Sequence, residues 1–210
     1  MITEIETTSA RPDLRDRQRQ QTRDVIFEGV MAVLSSGELK DLSFPSIAKA
    51  AGISERTVYR HFGDLDSLLD AFWPWFVESL GLIGYSSTAE DLATNPPRVY
   101  SVFDQHAGLI RALISSKIGR AARDRGNVPR QAALRSAIED AVGAKVPEDD
   151  MRMLAAGVYA VYSGYGWASM RDFWNIQGIE AGNTAALAIG WMIDGYVAER
   201  NRRKTKSKAE

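Results

Sequence analysis

No cysteine occurs among the 210 residues. Disulfides, thiol nucleophiles and thiolate-bound zinc are therefore excluded, and the composition suits a reducing cytoplasm. Histidine is nearly as scarce. His61 and His106 stand far apart in the chain, which gives no basis for a histidine metal site or a catalytic triad. No constellation of acid, base and nucleophile is visible, so neither an enzyme nor a cofactor or metal is expected. Met1 to Glu6 carry no basic start or apolar run, so no secretory signal is read there. The longest uncharged stretch, ending at Met170, is broken by Gly157, Gly164 and Gly166 and carries Tyr159, Tyr162 and Tyr165. It reads as a buried helix, and no membrane partner is expected.

A net charge of −1 gives no general affinity for nucleic acid, but the charge is unevenly spread. Residues 11–63 hold nine Lys/Arg against seven Asp/Glu, whereas residues 64–199 hold eleven against seventeen. The last stretch, from Arg200, is strongly basic. A slightly basic head on an acidic body lets one end alone meet phosphates.

Alternating strand patterns are scarce, and apolar residues recur at helical spacing almost throughout. The expected class is therefore all-α. Ile26, Gly29, Val30 and Val33 predict a first helix from about Asp16 to Ser35, ended by Gly37. Ser43 caps a second helix that Gly52 stops, and Ser54 caps a third running to about His61. A fourth starts near Asp64 or Asp66 and contains Pro74, between Trp73 and Trp75, where a bend is expected. Further helices are predicted at about Arg98–Asp104, Ala107–Ser115 and Arg130–Val142. The two longest are expected at Glu148–Trp174 and Glu180–Arg200, with a frayed tail beyond. Thr88–Pro97 and Arg123–Pro129 read as loops.

The run from Ser46 to Phe62 meets the requirements of a helix-turn-helix. Ala48 allows two short helices to cross closely, and Gly52 allows the left-handed turn between them. Ile47, Ile53 and Val58 make a small core, leaving Ser54 to Arg60 on a polar helix able to enter a major groove. This run, with its Ile-Ala-x-x-Ala-Gly turn followed by Ser and Thr-Val-Tyr-Arg-His-Phe, resembles the DNA-binding region of the TetR family. Thr22-Arg23 resemble the family's first helix.

The resemblance implies a helix-turn-helix head over residues 1–63 on a ligand-binding and dimerisation body over residues 64–210. It implies that Arg23, Ser43, Tyr59 and His61 contact phosphates, while Glu55, Arg56 and Thr57 face base edges. Ser54 and Arg60 complete the expected DNA surface. One departure stands out. The family usually has Lys where this chain has Leu65, which removes an expected phosphate contact at the fourth helix unless backbone amides supply it.

The resulting expectation is a homodimeric repressor on a near-palindromic operator, released by a small apolar or aromatic ligand. Other readings are an all-helical small-molecule-binding protein that never meets DNA, or an interaction regulator without ligand control. The ligand expectation rests on the body's aromatic load: Trp75, Phe76, Tyr100, Phe103, Tyr159, Tyr162, Met170, Phe173 and Trp174. His106 is placed nearby as a partner for a weakly acidic ligand. Lys117, Arg120, Arg123, Arg125 and Arg130 read as a solvated basic face, and Glu148-Asp149-Asp150 as a helix start. The dimer is expected through the last two helices, along Gly157, Ala160, Gly164 and Ala168 on one and Ala186, Gly190, Ile193 and Val197 on the other.

Overall fold

The structure is a computed structural model. It describes residues 13–36, 42–81, 85–116, 119–120, 123–124 and 126–207. Gly37, Lys117 and Arg125, to which the sequence assigned roles, lie outside the described residues. Those described form helices and connections, with no strand among them. No helix is long and apolar enough to cross a membrane.

Three helices make the head: α1 (Leu14–Ser36), α2 (Phe44–Ala51) and α3 (Glu55–His61). Ser43 caps α2 through a capping box with Ser46, which satisfies amide donors that a helix start leaves open. Gly52 then closes α2 with φ 66, the left-handed turn that lets α3 leave at once. Gly29 sets the distance between α1 and α2. A Cβ there would stand 2.8 Å from the Ala51 Cβ and 2.9 Å from the Ile47 carbonyl oxygen. Ile26, Phe27, Val30 and Leu34 fill the space beside it with Ile47, Ala48 and Val58.

The body follows as α4 (Leu65–Ser79), α5 (Ala89–Gln105), α6 (Ala107–Ser115), α7 (Asn127–Val142), α8 (Glu148–Val161), α9 (Gly164–Trp174) and α10 (Gly178–Ser207). Helix α4 passes through Pro74 without ending. Its Leu68, Leu69, Phe72 and Phe76 are buried in one cluster that runs from α1 to Trp167 and Ala181. A second cluster joins Leu92, Ile138, Met151, Leu154, Val158, Ile189 and Ile193.

Several expectations for the body are corrected. Thr88–Pro97 is not a loop, because α5 starts at Ala89 and contains Pro96 and Pro97. Thr88 and Asp91 form a capping box, and the α5 backbone at Pro97 lies so close to Gly182 that a Cβ on Gly182 would overlap it. Local capping and this packing offset the donors lost at the two prolines. Part of Arg123–Pro129 is also helical, since α7 begins at Asn127 and accommodates Pro129 in its first turn.

The expected long helix over Glu148–Trp174 is interrupted at Tyr162, after which Ser163 caps α9 through the Gly166 amide. Tyr100 stabilises the interruption. Its hydroxyl bonds to the Val161 and Ser163 carbonyls, and the Ser163 amide lies 3.2 Å from the same oxygen. The tail does not fray where expected: α10 continues to Ser207. Arg202 and Arg203 pair with Glu199 one turn back, and Arg203 also reaches Asp150 on α8.

The small-residue stripe expected across Gly157, Ala160, Gly164 and Ala168 is corrected too, because the interruption divides it. Gly157 faces Met192 of α10, and Gly164 faces Ile114 and Ile110 of α6. Ala168 packs on the first cluster, Ile193 is buried in the second and Val197 packs against it. Most of these residues therefore pack within one chain.

Gly29→Ala tests the head crossing. Overpacking at this contact is expected to cost about 1–3 kcal/mol, lowering Tm by several degrees at ~2–4 °C per kcal/mol for a chain of this length. The better helix propensity of alanine acts in the opposite direction, so a raised Tm would show that α1 does not rest on α2 at this residue.

Candidate nucleic-acid interface and internal chamber

Ser54 starts α3 by accepting a hydrogen bond from the Thr57 amide at 3.2 Å, and its hydroxyl also meets the Thr57 hydroxyl at 2.9 Å. This local network fixes the first turn while Glu55, Arg56, Tyr59 and Arg60 remain exposed. Among the described residues, Glu55, Arg56 and Arg60 make no ion pair, so their charged ends are available to a partner. Tyr59 is 57 % exposed, yet its ring stands edge-on to Phe44 at 4.5 Å. One side of that ring is thereby anchored while most of the residue stays open to solvent.

Arg23 lies with its guanidinium 4.7 Å from the Phe62 ring centroid and 5.7 Å from that of Phe27. It ties α1 to the end of α3 by a cation–π contact as well as supplying positive charge. Arg19 lines a groove with Thr22, Arg60 and His61. Arg19 is not among the DNA-contacting residues expected from the sequence; its position one turn before Arg23 on α1 is the available signal. His61 has a buried Nδ1 without a hydrogen-bond partner. Burial, followed by Arg60, Arg19 and Arg23, holds its pKa below the ordinary value.

Leu65 packs against the first core cluster. Just before it, the Asp64 carboxylate accepts from the Ser67 amide at 2.7 Å, and this bond lowers the Asp64 pKa. The start of α4 is thus already supplied with its own anion. This disfavours the backbone-amide phosphate contact considered from the sequence.

A second candidate site lies between the two core clusters. A chamber of about 210 Å³ is lined by Trp73, Phe76, Val99, Phe103, Leu113 and Tyr162, with Arg123, Arg130, Tyr159 and Tyr165 at one side. Phe76, Phe103, Tyr159 and Tyr162 were expected from the sequence; Trp73, Tyr85, Arg123, Arg130 and Tyr165 were not. Tyr162 is brought in by the α8–α9 interruption, and the Ser86 hydroxyl lies 3.5 Å from its oxygen.

Other expected ligand residues do not line the chamber. Tyr100 is fully buried and occupied with the helix interruption. Trp75 instead packs on Phe27 of the head at 5.3 Å. His106 links α5 to α6, with its ring edge-on to Phe76. Met170 packs against the core, while Phe173 and Trp174 are 81 % and 73 % exposed. The break after Val161 changes the face that α9 presents and so displaces Met170, Phe173 and Trp174, whereas Trp75 is taken up by Phe27, Tyr100 by the broken backbone and His106 by the α5–α6 connection. The basic-face reading of Arg123 and Arg130 is likewise corrected: both are half-buried at the chamber.

Residues 26–72 match the family model described as bacterial regulatory proteins, tetR family. No curated protein matches the chain. Among solved structures, it is similar to a TetR transcriptional regulator from Rhodococcus sp. RHA1, with 20% identity and a TM-score of 0.50; the match covers 83% of this chain and 98% of that one. It is also similar to native NalD, the secondary repressor of the MexAB-OprM multidrug efflux pump in Pseudomonas aeruginosa. There the identity is 17% and the TM-score 0.56, over 85% of this chain and 96% of NalD.

The state of His61 generates a pH prediction. As pH falls below about 6.5, the unfolded chain takes up a proton before the folded one. The stabilisation associated with neutral His61 is full above that value and is lost as pH falls through the folded-state pKa. His61→Gln is expected to lose less stability than wild type between about pH 7.5 and 5.5, as measured by urea midpoints. Equal losses would show that His61 does not drive this part of the acid response.

Proposed function

We propose that this chain is a regulator of the TetR type, a dimeric operator-binding repressor released by a small molecule. The carrying observation is the rigidly capped α3, which presents Glu55, Arg56, Tyr59 and Arg60 from one short helix without ion pairs among the described residues. Arg19, Arg23, Ser43, Ser54 and His61 surround it as candidate phosphate contacts, and Thr57 stands at the edge of the base-reading face. Such an arrangement suits major-groove recognition with adjacent backbone contacts.

The proposed dimer uses α8 and α10 along a revised face. Met153, Leu187 and Trp191 are 68 %, 54 % and 67 % exposed, while Gly190 and Gly195 leave open space beside the helix axis. Large apolar side chains beside small residues can interlock with the same face on a second copy. A two-fold pair of heads would then require half-sites separated by about one helical turn, ~34 Å, or a multiple.

Helix α4 supplies a route between chamber and head. Trp73 and Phe76 border the chamber, whereas Phe72 and Trp75 pack against Phe27 of α1. A ligand that favours one position of α4 would therefore alter head spacing and operator affinity together.

Arg56→Ala is expected to weaken the selected operator by about 1–3 kcal/mol and relax preference at one base pair if the side chain reads guanine. A duplex-selection experiment followed by titration checks both effects; unchanged affinity and specificity would remove Arg56 from the reading face. Trp191→Glu should yield monomers in sedimentation and lose cooperative operator binding. A stable dimer with unchanged operator binding would overturn the assigned interface.

A further inference from the structure

Resting on the small-molecule reading above, we infer that the effector is an amphipathic anion, with its apolar body in the chamber and its anionic group at Arg130. The guanidinium lies 5.5 Å from the Tyr85 ring centroid and 5.8 Å from that of Tyr159. Its one hydrogen bond goes to the Tyr159 hydroxyl at 3.3 Å, and it has no carboxylate partner among the described residues. The aromatic contacts orient this cation, but most of its five N–H donors remain for an anion.

Nearby arginines provide a contrast. Arg111 is paired with Asp172, Arg135 with Glu148, and Arg171 with Asp104. Arg123 donates to the Leu113 and Ile114 carbonyls and to the Tyr165 hydroxyl. Its hydrogen-bonding capacity is largely used in holding the chamber wall. Arg130 has fewer local acceptors and is the cation better suited to receive an incoming group.

The location of Arg130 supplies the second half of the argument. Arg123, Arg130, Leu134, Tyr159 and Tyr165 line both the 210 Å³ chamber and an adjoining outer groove of about 1090 Å³. They therefore form a neck between the two spaces. Inside it the wall is chiefly apolar; outside, Arg120, Arg135 and Arg152 stand with Asp124, Glu148 and Asp149, which leaves the groove lining, Arg123 and Arg130 included, with five cations against three carboxylates. An uncharged ring compound could fill the interior but would leave the donors of Arg130 unmatched. A small inorganic anion could meet Arg130 but would leave the apolar interior unused. An amphipathic anion satisfies both surfaces.

The chamber has room for roughly seven water-sized groups at ~30 Å³ each, making octanoate a suitable first probe. Octanoate, octanol and acetate are titrated into the full-length protein by calorimetry and Trp fluorescence, with operator release measured in parallel. Octanoate is expected to bind at least about tenfold more tightly than octanol, a difference of ~1.4 kcal/mol, and to release the operator; acetate should do neither. Arg130→Gln should reduce octanoate binding to the level of octanol, while Arg130→Lys should retain part of the preference. Thermal unfolding and octanol binding check that each variant remains folded with an intact chamber. Equal binding of octanoate and octanol by wild type, or an octanoate preference unchanged in Arg130→Gln, would overturn the anion assignment and leave the chamber reading intact. Octanoate binding without operator release would overturn its effector role. If neither eight-carbon compound binds, both this inference and the small-molecule part of the proposed function fail.

Discussion

The body depends on a phenolic hydroxyl placed where two helices would otherwise be one. Tyr100 interacts with the carbonyls of Val161 and Ser163 and with the Ser163 amide, satisfying polar backbone groups at the α8–α9 break. An interruption in such a buried place would be costly without those partners. With them, Tyr162 borders the chamber while Trp167 remains in the core and Phe173 and Trp174 emerge at the surface. Burial raises the Tyr100 pKa above its ordinary value, which moves its titration still further from neutrality.

Asp104 secures the opposite end of α9. It accepts from the Trp167 indole at 3.1 Å, from Arg171 and from the Gly178 amide at the start of α10. Tyr100 and Asp104 lie about one helical turn apart on α5, so one helix fixes both the break before α9 and the turn after it. The close approach of Gly182 to Pro97 then holds α10 against that same helix. Together these contacts make α5 the reference against which the chamber wall is assembled.

Much of the head was legible because its signals are local. Ser43, Gly52 and Ser54 occupy the caps and turn expected of them, and Ile47 and Val58 enter the small core. The exposed face of α3 was accessible from the motif; the place of Arg19 was obscured because the residues it adjoins in the groove, Arg60 and His61, lie on α3, beyond the local pattern. The body was less legible for the same reason. Pro96 and Pro97 suggested a loop until the contact with α10 was known, and nothing near Tyr162 in sequence indicates that Tyr100 will satisfy the broken helix. Aromatic abundance suggested a chamber, yet could not distinguish Tyr159 and Tyr162 at its wall from Trp174 outside. The basic run likewise concealed Arg130, whose environment is formed by Tyr85 and Tyr159 from distant segments.

Phe27 of α1 lies within 5.9 Å, centroid to centroid, of both Phe72 and Trp75 on α4. This aromatic joint constrains how proteins of this fold can be recombined into chimeras. A head transferred alone would leave one side of the joint behind and meet a foreign surface in its place. A transplant that carries α1 through Trp75 preserves the matched rings, moving the fusion point into α4 itself. The unit of inheritance implied by this packing is thus the three head helices together with the first part of α4.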